Sequence, residues 1–437
     1  MEYLAVTICI FFMIIGLSYE EKKINALTIF SGLWGIIIFL SSICLYNLNK
    51  AKNSTYVLLT LGILSFGIGY IFFRIFFSQK FFRKKRDIKV YIPKYKFLYI
   101  LSAVTILFYL KDLMLILNDV ISNGRSLEYI RLLAQDTNSI LYTSRSNIEN
   151  FIRMMIILPF VMVLQPVVAI DFICGKKNKI LLILNIIILV LRSLTDGSRV
   201  MFIYFIMHLI LVFMFSGDNY YKNIMKKNKN KIIMIMVLVV GIFFVYKTSV
   251  SRSGENTLKN MYYYYSIEPY MFEQWKEEVD NRNVIAYGSA STNGFIFPTI
   301  YTIKNIFGLD NYPEKWYKNV FLLINETDKD WKVITSGTTK ANAYVSIFWF
   351  FYLDGKIIGI IIGSLLYSMI IAYSYSKLKV EMNNKNLCIY LLLLQGVLFS
   401  YVRMQFSNET YAISILYALF LVYKKNKYGE KKNEIEQ

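Results

Sequence analysis

Hydrophobic residues along this chain are collected in long runs that short polar segments separate. Most runs approach the length of about 20 residues that an α-helix needs to cross the hydrocarbon core of a bilayer. Because backbone groups in lipid must be hydrogen-bonded within their own segment, each run predicts a membrane-spanning α-helix. The runs lie at 3–19, 24–46, 55–77, 97–118, 151–174, 180–195, 200–215, 232–250, 356–376, 387–403 and 410–423. The pattern therefore predicts an all-α polytopic membrane protein with about eleven transmembrane helices, within a range of about 10 to 13.

Two connections between the runs are long. Segment 119–150 contains apolar residues at helical spacing, which predicts an amphipathic helix at the membrane interface. Segment 251–340 is rich in Tyr and Trp and is too long for a plain linker. The predicted parts are a membrane domain at 1–250 with the first eight helices, a large extracytoplasmic loop domain at 251–340, a second membrane part at 341–424, and a cytoplasmic tail at 425–437.

Composition and charge agree with this class and give an orientation. Of 437 residues, 56% are hydrophobic and 18% are charged, and the formal net charge is +20. A strongly basic chain raises nucleic acid as a partner, but here the basic residues concentrate in short loops. Segment 78–96 alone carries eight basic residues against one acidic residue. Since such loops stay in the cytoplasm, the charge excludes a soluble nucleic-acid-binding protein. It places the N-terminus and both long loops outside and the C-terminus inside.

Arginine is distributed differently from lysine. A guanidinium offers planar donors that bind phosphate or carboxylate bidentately, so arginines gathered outside favour an anionic ligand at the outer membrane surface. Snorkelling to lipid headgroups and loop salt bridges are the alternative explanation. Nine of the twelve arginines lie in predicted external loops or at outer ends of spans: Arg125, Arg131, Arg145, Arg153, Arg192, Arg199, Arg252, Arg282 and Arg403.

The sharpest local site is the turn at 192–199. Arg192 and Arg199 flank it, and Arg199 opens a predicted helix whose N-terminus attracts anions. Asp196 is interpreted as a cap of that helix. Within the large loop, four consecutive tyrosines at 262–265 precede Glu268 and Glu273. Aromatic faces stack on sugar rings and a carboxylate can take a hydroxyl proton, although anchoring at the membrane interface explains the tyrosines equally well.

Taken together, these features resemble the Wzy-type oligosaccharide repeat-unit polymerases of bacterial O-antigen and capsule assembly. The layout of many spans with a large late external loop carries the resemblance, as does the Thr195-Asp196-Gly197-Ser198-Arg199 turn. The stretch Asn342-Ala343-Tyr344, followed by Tyr352-Leu353-Asp354 and Gly359, is similar to the family's N-x-Y and Y-x-D-F-G-x-x-G pattern. The chain departs from that pattern, with Gly355-Lys356 where Phe-Gly is usual. Eleven residues separate Arg282 from Gly294, so the family's R-x10-G element is not met.

The resemblance implies a GT-C-like fold and a glycosyltransferase of the bacterial cytoplasmic (inner) membrane that needs neither metal nor cofactor. It would join oligosaccharide repeat units carried on undecaprenyl pyrophosphate into O-antigen or capsular polysaccharide at the outer face. Its implied partners are that lipid-linked oligosaccharide, membrane lipids, a chain-length regulator and a flippase, with no nucleic acid.

The resemblance also suggests roles for named residues. Arg199, together with Arg192, Arg252 or Arg403, would hold the pyrophosphate. Glu268 or Glu273 would take the proton of the acceptor hydroxyl. The residues expected to bind or position the sugar are Arg282, Asn342, Tyr344 and Asp354.

Two other functions fit a similar architecture. An O-antigen ligase is expected to use an external-loop histidine, whereas the only histidine, His208, falls in a predicted span. A flippase for the same lipid-linked unit would be a transporter, for which internal repeats and charges at the bilayer midplane are typical. The sequence shows no such repeat, and its charges gather outside the spans.

Overall fold

Six helices of the protein are long and apolar enough to cross a membrane, counting only the residues that the structure describes. The structure is a computed structural model that describes residues 1–20, 24–77, 90–122, 133, 139–196, 200–215, 257–305 and 315–426. The six helices are Glu2–Tyr19, Ala26–Ile43, Asn53–Phe77, Tyr95–Ser122, Asn147–Cys174 and Ser346–Val380. They make this a mostly helical, multi-pass membrane protein.

The described secondary structure is almost entirely helical. In chain order the helices are α1 (Glu2–Tyr19), α2 (Ala26–Ile43), α3 (Asn53–Phe72), α4 (Tyr95–Ser122), α5 (Ile140–Thr143), α6 (Asn147–Ile152), α7 (Leu158–Cys174), α8 (Lys179–Asp196), α9 (Val200–Phe215), α10 (Thr257–Ser266), α11 (Glu268–Asn281), α12 (Asn293–Asn305), α13 (Lys315–Lys329), α14 (Ser346–Val380), α15 (Asn384–Leu398) and α16 (Glu409–Phe420). A π-helical turn, Phe73–Phe77, extends α3, and another, Arg153–Ile157, joins α6 to α7.

Two short antiparallel strand pairs, and 3-10 turns at Leu45–Asn47 and Gln405–Ser407, are also described. Strand β1 (Tyr91–Pro93) pairs with β4 (Tyr423–Lys425), with Ile92 opposite Lys424. Strand β2 (Lys332–Val333) pairs with β3 (Lys340–Ala341).

Ten of the eleven hydrophobic runs coincide with described helices. The run at 232–250 lies outside the described residues, as does most of the segment that carries the predicted interfacial helix at 119–150. Helices α9 and α16 are apolar but shorter than a full span. The runs thus locate the helices well, because a hydrophobic stretch that lipid or protein surrounds has to satisfy its backbone internally.

The described chain forms two compact units. The first unit contains α1–α3, α10–α14 and the segment that leads from the end of α15 into α16. Its core is aromatic: Phe30 and Phe66 stack with ring centroids 3.7 Å apart, and the Trp34 ring lies 4.7 Å from Phe348. Such ring pairs add about 0.5–1.5 kcal/mol beyond the area they bury. They hold α2, α3 and α14 together.

Helices from the loop at 251–340 belong to this first unit. The Tyr262 hydroxyl donates to the Leu40 carbonyl of α2 at 2.7 Å, and the Tyr263 hydroxyl donates to the Tyr46 carbonyl at 2.9 Å. In α11, Trp275 meets Trp349 of α14 edge-on at 6.4 Å. The loop helices are therefore tied by hydrogen bonds and buried rings to the membrane helices of their unit.

Helix α14 is broken at Gly355-Lys356, the two residues that depart from the Y-x-D-F-G-x-x-G pattern. Gly355 has φ −168° and Lys356 has φ 54°, so neither residue is helical. The break falls where the sequence predicts the span to begin, at residue 356. Four residues further on, a Cβ at Gly359 would approach the Phe351 carbonyl oxygen to 2.1 Å, so only glycine fits there.

The second unit contains α4–α9, the start of α15, most of α16 and the β1–β4 pair. The Asp171 carboxylate at the end of α7 accepts the backbone N–H of Asn178 at 3.1 Å and the Tyr95 hydroxyl at 2.5 Å. In α9, His208 is completely buried. Its place among apolar helices is that of a packed residue.

Candidate functional site

Four tyrosines of the first unit form a continuous row of rings, here called the tyrosine row. Tyr264 lies 6.0 Å from Tyr344, Tyr344 lies 6.0 Å from Tyr401, and Tyr401 lies 5.6 Å from Tyr265, measured between ring centroids. Adjacent rings are inclined by 28–40°. Three separate chain segments supply these rings, so tertiary folding alone assembles the row.

The segment that carries Tyr344 has a strained backbone. Ala343, Tyr344 and Ser346 have φ of 55°, 54° and 60°, in the left-handed region that costs non-glycine residues about 1–3 kcal/mol each. Hydrogen bonds from Ala343 N to Thr327 O at 2.7 Å and from Ile347 N to Ser400 O at 2.8 Å maintain this conformation. Strain of this kind clusters at functional sites. Here it coincides with the Asn342-Ala343-Tyr344 motif.

Arg403 lies beside the same segment. Its backbone bridges to Ser346, and its guanidinium binds the carboxylate of Asp328. The Asn342 side-chain amide donates to the backbone carbonyl of Asp328. Asn342 and Arg403, two predicted site residues far apart in sequence, thus converge on one loop residue. The Arg403 guanidinium is already paired with a carboxylate that is 47% exposed.

Glu268 is a fully buried carboxyl group at the start of α11. Its side chain is 1% exposed and lies near the Ser346 hydroxyl. Burial raises the pKa of Glu268 to about 8, against the opposing effect of that hydroxyl, which favours the charged form. A carboxyl group with a pKa near neutral pH is suited to proton transfer.

Glu273 has a different environment, although it lies in the same helix. It accepts the backbone N–H of Lys52 at 2.6 Å and the Thr55 hydroxyl at 2.8 Å. These donors belong to the first turn of α3, so Glu273 supplies the cap that the helix lacks from its own N-cap residue. Its observed contacts stabilise the attachment of α11 to α3.

Asp354 and Arg282 also make contacts within the first unit. The Asp354 carboxylate accepts the backbone N–H groups of Ala290 at 2.9 Å and Ser291 at 3.1 Å, which fixes the turn before α12. Arg282 binds Glu326 at 2.8 Å and Glu278 at 3.5 Å. These residues join loop helices to each other and to α14.

An arginine pair lies in the second unit. Arg192 Nε donates to Asp196 Oδ2 at 3.1 Å, and Arg153 Nη2 lies 3.6 Å from Asp196 Oδ1. The three side chains are only 13–18% exposed. Two guanidinium groups therefore share one carboxylate in a poorly hydrated place. Among described residues, the buried Nη1 of Arg192 has no hydrogen-bond partner.

A second ion pair lies along the same helix bundle. Arg145 Nη2 donates to Asp112 Oδ2 at 2.6 Å, with both side chains at most 3% exposed. Lys111, the neighbour of Asp112 in sequence, binds Glu149 instead. Adjacent residues in a helix point about 100° apart, which explains why the Lys111-Asp112 pair splits between two partners.

Two of the predicted phosphate-binding arginines, Arg199 and Arg252, lie outside the described residues. Sequence reasoning did not assign site roles to Arg153, Asp328, Tyr401 or Ser346. Arg153 is one of the nine arginines predicted to lie outside, so the sequence offered a signal for its proximity to Arg192. The other three carry none, since only long-range pairing brings them to the site.

No family model, curated protein or solved structure matches this chain. Within the described parts of the chain, His, Cys, Asp and Glu side chains form no group of three that could hold a metal ion.

Proposed function

We propose that this protein polymerises undecaprenyl-pyrophosphate-linked oligosaccharide repeat units into O-antigen or capsular polysaccharide. The reaction takes place at the outer face of the bacterial cytoplasmic membrane, and the fold is GT-C-like with about eleven spans. Long apolar helices support the membrane location, and the motif resemblance supports the reaction. The observation that carries the proposal is the arginine pair, Arg153 and Arg192 on the single carboxylate of Asp196.

The chemistry of the reaction suits such a pair. The bond between the anomeric carbon of the growing chain and its pyrophosphate oxygen breaks, and the lipid pyrophosphate leaves with the bonding electrons. A hydroxyl of the incoming repeat unit forms the new glycosidic bond and releases its proton. Preorganised arginines stabilise the negative charge that develops on the leaving group.

Within the first unit, considered by itself, Glu268 is the candidate proton acceptor. Its carboxyl group takes part in no ion pair among the described residues, whereas Glu273 binds Lys52 and Thr55. The pKa of Glu268, about 8, keeps the group close to its titration point at neutral pH. Arg199 and Arg252 remain further candidates for the pyrophosphate, and Asn342 and Tyr344 for the sugar.

Deletion of the gene, read on a polysaccharide gel, tests this function. Single repeat units in place of the polymer ladder support polymerisation. Lipid-linked polymer that no longer reaches the surface would indicate a ligase. Repeat units that stay at the inner face of the membrane would indicate a flippase. An unchanged ladder would reject all three. Complementation with the wild-type chain is the control.

A further inference from the structure

The four consecutive tyrosines of α10 divide into two pairs with different roles. Tyr262 and Tyr263 are 9% and 6% exposed, and their hydroxyls are bound to backbone carbonyls of the first unit. Tyr264 and Tyr265 are 52% and 39% exposed. The first pair anchors the helix to the first unit, and the second pair does not take part in those hydrogen bonds.

The exposed pair is part of the tyrosine row. Each of its rings contacts a ring from another segment: Tyr264 contacts Tyr344, and Tyr265 contacts Tyr401. Tyrosines that anchor a protein at a membrane interface can act singly, with the hydroxyl among headgroups. Here Tyr264 and Tyr265 are the exposed rings, and Tyr344 and the buried Tyr401, 9% exposed, pack against them and support them.

The backbone holds the inner member of the row in an unfavourable conformation. Tyr344 and its neighbours Ala343 and Ser346 occupy the left-handed region, which glycine would adopt at lower cost. Burial raises the pKa of Tyr344, so its phenol stays neutral. The strain fixes the position of a neutral aromatic ring, which is what a stacking surface needs.

We propose that the tyrosine row is a saccharide-binding platform that holds the sugar rings of the repeat unit, an inference that rests on the proposed function. The C–H face of a pyranose is apolar and slightly positive, which matches the negative face of an aromatic ring. Arg403 lies beside the segment of Tyr344, because its backbone bridges to Ser346, and its guanidinium binds Asp328. The Arg403 guanidinium is a donor for sugar hydroxyl groups, and the Asp328 carboxylate is an acceptor.

Binding of purified oligosaccharide to the full-length protein tests the platform. The probe is an oligosaccharide of one or two repeat units, cut from the surface polymer of the host and titrated onto protein in nanodiscs. Tyr264→Ala and Tyr265→Ala should each raise the Kd about 3- to 10-fold. Tyr264→Phe keeps the ring and should bind like the wild type.

Tyr287→Ala is the matched control. Tyr287 is 81% exposed and lies outside the tyrosine row, so its loss should leave the Kd unchanged. Size-exclusion chromatography verifies that every variant is folded. Wild-type affinity in folded Tyr264→Ala and Tyr265→Ala proteins overturns the platform. If the variants bind the saccharide normally but lose stability only in nanodiscs, the platform is overturned in favour of membrane anchoring. If the wild-type protein does not bind the oligosaccharide at all, the platform is also overturned.

Failure of this inference is distinguishable from failure of the proposed function. Tyrosine-dependent binding in a protein whose deletion leaves the ladder intact would keep the platform and reject the polymerase. Loss of the ladder on deletion, with tyrosine-independent binding, would keep the polymerase and reject the platform.

Discussion

Arg145 and Asp112 form a buried ion pair in the second unit, with the Nη2 and Oδ2 atoms 2.6 Å apart. The Arg145 guanidinium also lies over the Phe108 ring at 5.4 Å. Asp112 lies within the span of α4, where an ionisable side chain needs a partner close by. The pair therefore links the helix to the segment that precedes α6.

Asp112→Ala should destabilise the protein by about 3–5 kcal/mol, because it removes the carboxylate that is bound to the buried Arg145 guanidinium. The double variant Asp112→Leu with Arg145→Met removes both charges and should recover most of this loss. Thermal unfolding in detergent measures the effect. A double variant as unstable as the single one would contradict this account.

Glu268 should make stability depend on pH. Burial raises its pKa from the ordinary value of 4.5 to about 8 on folding, so the folded state binds its proton more tightly than the unfolded state. The contribution of Glu268 to stability is then fully present below about pH 4.5 and is lost as pH rises towards 8, by at most about 1.4 kcal/mol per pH unit.

Glu268→Gln removes this titration while preserving shape. The variant should show a flatter dependence of melting temperature on pH between 5 and 8 than the wild type, with the other carboxyl groups as a common background. Equal slopes in the two proteins would show that Glu268 does not titrate as described.

Glu273→Ala should weaken the junction between α11 and α3. The variant deprives the Lys52 N–H and the Thr55 hydroxyl of their acceptor, and a lost buried acceptor costs about 1–3 kcal/mol. Melting temperature in detergent is the measurement. Glu277→Ala is the control, because Glu277 contacts only the exposed Lys52 ammonium and is itself 46% exposed.

Arg192→Ala should lower polymerisation by about 10²- to 10³-fold, the usual loss when one preorganised donor to a developing anion is removed. Arg153→Ala should act similarly, and Arg192→Lys should recover only part of the activity because lysine lacks the planar fork. The measurement is the rate at which lipid-linked repeat units become polymer.

Lys179→Ala is the control for charge alone, because Lys179 is an exposed cation at the opposite end of the same helix. A normal ladder in Arg192→Ala cells, with normal protein levels, would remove Arg192 from the mechanism. A ladder lost equally in Lys179→Ala cells would show that the effect is one of net charge.

The hydrophobic pattern predicted most of the helices because their cause is local. A run of apolar residues satisfies its backbone only as a helix in lipid, whatever surrounds it. Hence α1 to α4 lie where the sequence places them, whereas α14 begins at Ser346, ten residues before the predicted span. Even the break at Gly355-Lys356 coincides with the predicted start of a span.

The site depended on pairings that no local pattern contains. Glu268 and Glu273 share a helix and a residue type, yet one is buried without an ion pair and the other caps α3. Tyr264 and Tyr262 belong to one run, yet only Tyr264 meets Tyr344. Burial and the choice of partner arise from long-range packing, which sequence spacing does not specify.

The sequence by itself thus determined the membrane class and the positions of most described helices, and it predicts an external bias of the arginines. Each follows from properties of single segments: hydrophobic length and charge. Tertiary structure alone decided that Arg153 and Arg192 share Asp196, and that tyrosines from three segments form one row. Arg192 and Asp196 lie one turn apart on α8, whereas Arg153 and the rings of the tyrosine row come from distant segments that only the folded packing of helices brings together.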